Sequence, residues 1–251
     1  MKNDDVLEKI FENLSCWRHL PKYQLERRAD IFFTPYLKDI IESKISGSLL
    51  SDAIIPEFPQ KKKENSSSTN IDYLMFSKEK DIVYLIELKT DNDSFDKAQY
   101  RRMKKAKKVI NENGFGVMLE NIIDIYKAGK YSNKYFNLLS LLATLGFIEK
   151  ERLKAVYDIA KESNRQGNRR GIGKEVDKLT PKSDIKKSCI VYIVPNKDSY
   201  QKLSTIDQKD TVFITFHDAA KAIEGKSAFA KRLAINLEKW ATEQPGKLLA
   251  F

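Results

Sequence analysis

The chain has 251 residues, of which 41% are hydrophobic, and its 45 Lys and Arg against 35 Asp and Glu give a formal charge of +10. This length and apolar content exclude a disordered chain and predict one large domain, or one domain with a sizeable insertion. The positive charge favours an anionic partner such as nucleic acid.

The cysteine and histidine content limits the kinds of site that the chain can build. Cys16 and Cys189 are too few for a disulfide framework or a thiolate zinc site, which predicts a reducing, cytoplasmic environment. His19 and His217 lie in no recognisable ligand spacing. Any bound metal must therefore be held by oxygen. No segment approaches the roughly 20 apolar residues that a membrane-spanning helix needs, so we expect no membrane partner.

Helical patterns come first along the chain. An apolar stripe at helical spacing predicts a helix over residues 4 to 14. A second helical pattern begins after Pro21, breaks and restarts at Pro35, and closes at Gly47.

Three strands and a helix are predicted next. Short apolar runs bounded by polar residues predict strands over residues 53 to 58, 70 to 77 and 81 to 90, with a polar loop from 59 to 68. Asp93 or Ser94 is expected to cap a helix that runs from Phe95 to Asn113 and ends at Gly114.

The second half of the chain predicts helices followed by a return to strands. Residues 117 to 163 have helical periodicity throughout, and 166 to 174 form a basic, glycine-containing linker, so we interpret 115 to 180 as a helical insertion. The remaining elements are two buried strands and a final helix: 189 to 194, 211 to 216 and 227 to 242. We predict a single α/β domain over 1–251, with a central mixed sheet flanked by helices.

Charged residues gather on one face of the second and third predicted strands. If residues 78 to 81 are a four-residue hairpin loop, Leu74 pairs with Leu85 and Asp72 lies directly opposite Glu87, with Cβ atoms about 5 Å apart. Because side chains alternate along a strand, Glu87 and Lys89 share that face.

Two carboxylates and one amine in this arrangement suit Mg²⁺ or Mn²⁺, since magnesium usually takes one or two carboxylates together with water and phosphate. The alternative is that the three residues lie on the solvent-exposed face of a hairpin. Against it, Leu74 and Phe76 follow Asp72 and Val83 and Leu85 precede Glu87, so both strands are apolar on both faces.

Asp72, fourteen intervening residues and then Glu87-Leu88-Lys89, entered from a helix and three strands and followed by a helix, resembles the PD-(D/E)XK nuclease superfamily. The resemblance implies a restriction-endonuclease-like fold and metal-dependent cleavage of nucleic acid, with DNA favoured over RNA. It implies that Asp72, Glu87 and the Leu88 carbonyl hold Mg²⁺ or Mn²⁺ and that Lys89 acts in catalysis. Ile71 stands where the superfamily usually has Pro or another small residue.

Three further residues are candidates for the same site. Several branches of the superfamily place a helical Glu near the metal, which implies Glu26, although a surface position beside Arg27 is an equal alternative. Glu57 is expected at the mouth of the site, at the end of the first strand. Exonuclease-like branches carry a substrate-contacting Gln after the catalytic strand, which implies Gln99.

The helix that contains Gln99 carries seven cations, among them Arg101, Arg102 and Lys105. They predict a track for the phosphate backbone, to which Lys61 and Lys62 would contribute from the polar loop. A simply solvated helix is the alternative.

We therefore predict a metal-dependent nuclease. Two other functions stay open: a nucleic-acid-binding module without turnover, and an interaction protein in which residues 133 to 147 form a partner surface, such as a homodimer interface.

Overall fold

The computed structural model describes residues 3 to 20, 24 to 45, 50 to 61, 68 to 92, 94 to 166, 170 to 201 and 211 to 243. Gly47, Asp93 and Lys62, which the sequence analysis assigned to a helix end, a cap and a phosphate contact, lie outside these residues. Within them, no helix is both long enough and apolar enough to cross a membrane.

Five strands form one mixed sheet in the order β1-β2-β3-β4-β5. Strands β1, β2 and β3 are antiparallel, whereas β4 and β5 continue the sheet parallel to β3. Their bounds are Leu50–Lys61, Ser68–Ser77, Ile82–Leu88, Lys187–Val194 and Thr211–Thr215. The predicted α/β class with a mixed central sheet is confirmed.

Eleven α-helices are seen in the described residues. They are α1 (Asn3–Trp17), α2 (Glu26–Phe33), α3 (Leu37–Glu42), α4 (Lys97–Asn113), α5 (Gly116–Ala128), α6 (Asn133–Thr144), α7 (Lys150–Gln166), α8 (Arg170–Val176), α9 (Asp198–Gln201), α10 (Phe216–Ile223) and α11 (Ala228–Thr242). A 3₁₀ turn, Thr34–Tyr36, separates α2 from α3, with Pro35 inside it as expected.

The helices cover both faces of the sheet because the central strands are apolar on both sides. Leu74 and Leu85 pack with α4 to α8 in one core, whereas Met75 and Ile86 pack with α1 to α3, α10 and α11 in the other. A strand between two helical layers needs no polar face, which explains the continuous apolar runs.

The predicted extent of the first strand is wrong. Strand β1 covers 12 residues, and Pro59, Gln60 and Lys61 pair with β2, although the sequence analysis placed them in a loop. Because β1 is at the edge of the sheet, the outer side of its backbone needs no ladder bonds, so a proline whose nitrogen faces outward is tolerated there.

The predicted linker is also wrong for residues 170 to 174, which lie in α8. Its glycines allow close packing of helices: a Cβ atom on Gly171 would meet Ile159 at 3.1 Å, and one on Gly173 would meet the Tyr131 hydroxyl at 2.7 Å. Residues 117 to 163, which were predicted to be helical, contain three helices, α5 to α7. That residues 115 to 180 are an insertion within one domain stays a prediction.

Candidate active site

The β2–β3 hairpin has the predicted register. Leu74 pairs with Leu85, and Tyr73 pairs with Ile86. One residue farther along, the same register places Asp72 opposite Glu87. The Leu88 N–H donates to Asp72 Oδ2 at 2.8 Å. The Asp72 carboxylate therefore takes the place of a backbone acceptor where the ladder ends.

Glu87 and Lys89 lie on the same face at the end of β3, and both are buried, with 0% and 4% exposure. Lys89 is held by its backbone, because its N–H donates to the Ile193 carbonyl at 2.8 Å and so extends the parallel ladder with β4. Lys89 Nζ donates to Glu87 Oε1 at 2.7 Å. The alternative of a solvent-exposed face is therefore wrong for these two residues.

Glu26, the first residue of α2, completes a cluster of three carboxylates. Its Oε2 is 3.4 Å from Lys89 Nζ. One carboxylate oxygen from each of Glu26, Asp72 and Glu87 lies within 4.8 Å of the other two. We call these three residues the acidic cluster. The Glu26 side chain is 32% exposed, so it is only partly buried, whereas its neighbour Arg27 is exposed.

Glu57 is near this cluster and outside it. It is exposed, has a positive φ of 51°, and accepts a hydrogen bond from Asn70 Nδ2 at 2.7 Å. Together with Asp72 and Leu88 it lines a cleft of about 30 Å³. That is room for one or two water-sized groups beside the Asp72 carboxylate.

Gln99 reaches the site from α4 and donates to Glu87 Oε1. Arg101 and Lys105 are exposed on the same helix, while Arg102 is half-buried and pairs with Asp96 at 3.6 Å.

The exposed cations of α4 lie on its outer face. Lys97, Arg101, Lys105 and Lys108 recur every three or four residues and form one stripe, roughly opposite the buried residues of the helix. We call these four residues the α4 stripe. Lys61, which was also predicted to contact phosphate, is the last residue of β1.

Tyr192 is a neighbour of the site that the sequence analysis missed. It pairs with Glu87 across the parallel β3–β4 ladder and is 1% exposed. Its hydroxyl has no hydrogen-bond partner among the described residues. The register between β3 and β4 was not predictable, because about a hundred residues separate the two strands.

Burial makes the carboxylates of the acidic cluster hard to ionise. It raises the pKa of Glu87 to about 8, with the charge of Asp72 adding to the shift and Lys89 opposing it. Burial likewise raises the pKa of Asp72 and that of Glu26, against the attraction of Lys89. The site is therefore short of positive charge.

Lys89 stays protonated in this setting. Burial by itself lowers the pKa of Lys89, but attraction to Glu87 and Glu26 outweighs burial, and the net pKa is raised. A protonated ammonium donates hydrogen bonds and cannot accept a proton. Lys89 is thus the hydrogen-bond donor in its contacts with Glu87 and Glu26.

The donor set fits a divalent cation. All three groups offer hard oxygen ligands, as Mg²⁺ and Mn²⁺ prefer. Glu87 Oε1 accepts from Lys89 and Gln99, whereas the buried Oε2 has no hydrogen-bond partner among the described residues. Three carboxylates and one ammonium leave a formal charge of −2 when all are ionised, which one divalent cation would neutralise.

The Leu88 carbonyl is oriented toward the same region. The N–H and C=O of one strand residue point toward the same neighbouring strand, and the Leu88 N–H points to Asp72. Leu88 also lines the cleft.

Searches of protein-family models, of curated proteins and of solved structures find nothing that matches this chain.

Proposed function

We propose that the chain is a metal-dependent nuclease that hydrolyses phosphodiester bonds, with DNA as its substrate and Mg²⁺ or Mn²⁺ as its cofactor. The observation that carries the proposal is the meeting of Glu26, Asp72 and Glu87 around Lys89 at the end of a buried strand. Burying several charged groups lowers stability, and titratable groups that burial perturbs in this way cluster at functional sites.

The finer fold assignment is part of the same proposal. A mixed sheet in which three antiparallel strands are followed by helix α4 and two parallel strands supports a restriction-endonuclease-like core. The resemblance to the PD-(D/E)XK superfamily, based on Asp72, Glu87, Leu88 and Lys89, rests on this order together with the hairpin register.

Each residue of the site has its own role in the proposed hydrolysis. Asp72, Glu87 and the Leu88 carbonyl would hold the cation, with Glu26 as a third carboxylate. When bound, a divalent cation acts as a Lewis acid on phosphate and lowers the pKa of bound water. Gln99 orients the Glu87 carboxylate through Oε1.

Lys89 acts on the charge that develops on the phosphate. Its ammonium is held between two carboxylates, and it would donate to a phosphate oxygen in the pentavalent transition state. Because it is protonated, we assign it electrostatic stabilisation and substrate positioning in preference to proton abstraction. The α4 stripe would contact the backbone phosphates farther along the strand.

The test compares wild type with Asp72→Asn and Glu87→Gln on linear, circular and single-stranded DNA and on RNA, with Mg²⁺, Mn²⁺ or EDTA. Asp52→Asn is the matched control, because Asp52 is an exposed carboxylate on β1 that pairs with Lys38. We expect metal-dependent cleavage by wild type and by the control, and its loss in the two site variants.

Two results would decide against hydrolysis. Equal cleavage by wild type and Asp72→Asn would remove the proposed site. Salt-sensitive DNA binding without turnover under any metal would support the alternative of a binding module on a nuclease-like scaffold.

A further inference from the structure

Helices α6 and α7 form the walls of an open groove of about 300 Å³, which has no role in the proposed hydrolysis. Phe136 of α6 and Tyr157 of α7 line it, with ring centroids 5.9 Å apart and an angle of 36° between the ring planes. Tyr157 is 49% exposed, whereas Phe136 is partly buried against the core. The groove thus presents an aromatic surface to solvent.

The same groove is cationic. Lys150 and Lys154 are exposed and share one face of α7 with Tyr157, at positions i, i+4 and i+7. The residues that line the groove include these two lysines and no carboxylate. Buried Ala143 and Leu153 also line it, so the lysines stand beside an apolar surface.

The groove is separate from the acidic cluster. The turn after α6 lies against the β2–β3 loop, where Lys80 Nζ donates to the Leu145 carbonyl at 2.6 Å. Asp72 is near the other end of β2, five residues before Ser77, which corresponds to about 17 Å along an extended strand.

The chemistry of the groove selects among possible occupants. An isologous dimer through this face would bring Lys150 and Lys154 of one copy toward the same residues of the other, and this repulsion opposes it. A groove of about 300 Å³ is at the small end of ligand pockets, which favours a group of about the size of one nucleotide base over a helical peptide. An exposed tyrosine ring and a partly exposed phenylalanine ring beside lysines form the combination that binds single-stranded nucleic acid, through base stacking and phosphate contacts.

We propose that the α6–α7 groove binds a nucleotide of a single-stranded nucleic acid, with the base on Tyr157 and Phe136 and the flanking phosphates at Lys150 and Lys154. The Ser140 hydroxyl donates to the Phe136 carbonyl at 3.0 Å, so its oxygen is left to accept a hydrogen bond from the base. The proposal shares the class of partner with the proposed nuclease function and adds a preference for unpaired strands. A base stacked in a duplex does not reach such a groove.

The test measures affinity without turnover. Fluorescence anisotropy of a labelled oligothymidylate of about 12 nucleotides, in EDTA, compares wild type with Tyr157→Ala, Tyr157→Phe and the double variant Lys150→Glu/Lys154→Glu. The matched control is Lys221→Glu/Lys231→Glu, which makes the same charge change at exposed positions of α10 and α11.

We expect wild type to bind the single strand more tightly than a duplex of the same length. Tyr157→Ala should weaken binding about tenfold, as loss of one stacked base does, and Tyr157→Phe should restore it. The lysine double variant should weaken binding as well. It should reduce the slope of log K against log salt concentration by about 1.4, which is the value for the loss of two phosphate contacts on a single strand. The control should change neither quantity to that extent.

Several outcomes would overturn the proposal. These are no binding by wild type, equal affinity of wild type and Tyr157→Ala, equal losses in the two lysine double variants, and displacement of the oligonucleotide by polyglutamate at equal charge concentration. Light scattering that shows a dimer in wild type and a monomer in Tyr157→Ala would make the groove an interface between copies.

The nuclease function is read out separately. Metal-dependent cleavage that needs Asp72, with no groove effect, would leave the function standing and remove the groove proposal. Groove-dependent binding without cleavage would do the reverse.

Discussion

Asp72→Asn should make the metal-free protein more stable, although it destroys the proposed site. The amide is nearly isosteric with the carboxylate, and its oxygen can still accept the 2.8 Å hydrogen bond from the Leu88 N–H. What the substitution removes is a negative charge close to Glu87 and Glu26. A stabilising substitution at a proposed catalytic residue is the expected signature of a site arranged to bind a cation.

The size of the effect follows from the separations. At 4.8 Å and an effective dielectric constant of about 20, each charge pair is worth about 3.5 kcal/mol. The substitution removes the repulsion of Asp72 by Glu87 and by Glu26 and also removes its attraction to Lys89. The net gain is therefore about that of one charge pair, and partial protonation of the acidic cluster reduces it further. We expect a gain of about 1 to 2 kcal/mol, or about 2 to 8 °C in the melting temperature.

The gain should depend on pH. The pKa of Asp72 and that of Glu87 are raised by burial, the latter to about 8, so the folded state binds more protons than the unfolded state. Wild type therefore loses stability as the pH rises from about 4.5, the ordinary pKa of a glutamate carboxyl, toward 8, the raised pKa of Glu87. The advantage of Asp72→Asn should be small at the acid end of this window and largest at its upper end.

Thermal unfolding in EDTA at several pH values provides the measurement. Asp158→Asn is a matched control, because Asp158 is exposed on α7 and the same change there should leave stability unaltered. If Asp72→Asn melts below wild type across the whole pH range, Asp72 is a favourable partner of Lys89 in a structural ion network, and its charge does not destabilise the metal-free protein.

Lys89→Met should lower the free energy of unfolding by about 3 kcal/mol without metal, because Glu87 loses its buried cation; an unchanged denaturation midpoint would contradict this. Mg²⁺ at about a hundred times its dissociation constant should stabilise wild type by about 2.7 kcal/mol and leave Asp72→Asn unaffected; equal shifts in thermal scans would place the ion elsewhere. Thr215→Ala should cost about 1 kcal/mol by removing the capping box with Asp218 at the start of α10, with unchanged Mg²⁺ binding by calorimetry; a change in metal affinity would refute a purely structural role.

The part of the site that lies on the hairpin was predictable because its geometry is local. A four-residue loop sets the pairing of Leu74 with Leu85, and strand alternation then brings Asp72 to Glu87 and orients Lys89. Each step uses residues fewer than twenty positions apart. The position of Glu26 could not be predicted from such local geometry, because the apolar face of a helix does not show which part of a sheet the helix crosses.

What the sequence analysis missed depends on contacts between distant segments. The pairing of Tyr192 with Glu87 requires the β3–β4 register, and no local pattern encodes that register. Gly171 and Gly173 looked like linker residues, since the need for a close approach to Ile159 and Tyr131 is visible only once α7 and α8 pack together. The polar end of β1 was misassigned for the same reason, because pairing with β2 overrides a weak local preference.

The site combines residues held by two ladders with cations on an exposed helix surface, and the two groups should respond differently to change. Glu87 and Lys89 are fixed between the β2–β3 hairpin and the parallel β3–β4 ladder, so their geometry is set by the core. Rigid placement of this kind is what transition-state stabilisation requires. The α4 stripe is solvated and would act on the proposed substrate through net charge, which salt screens. If the chain is the proposed nuclease, changes in the first group should therefore affect turnover at any ionic strength. Changes in the second group should affect affinity for the substrate, and progressively less as salt is added.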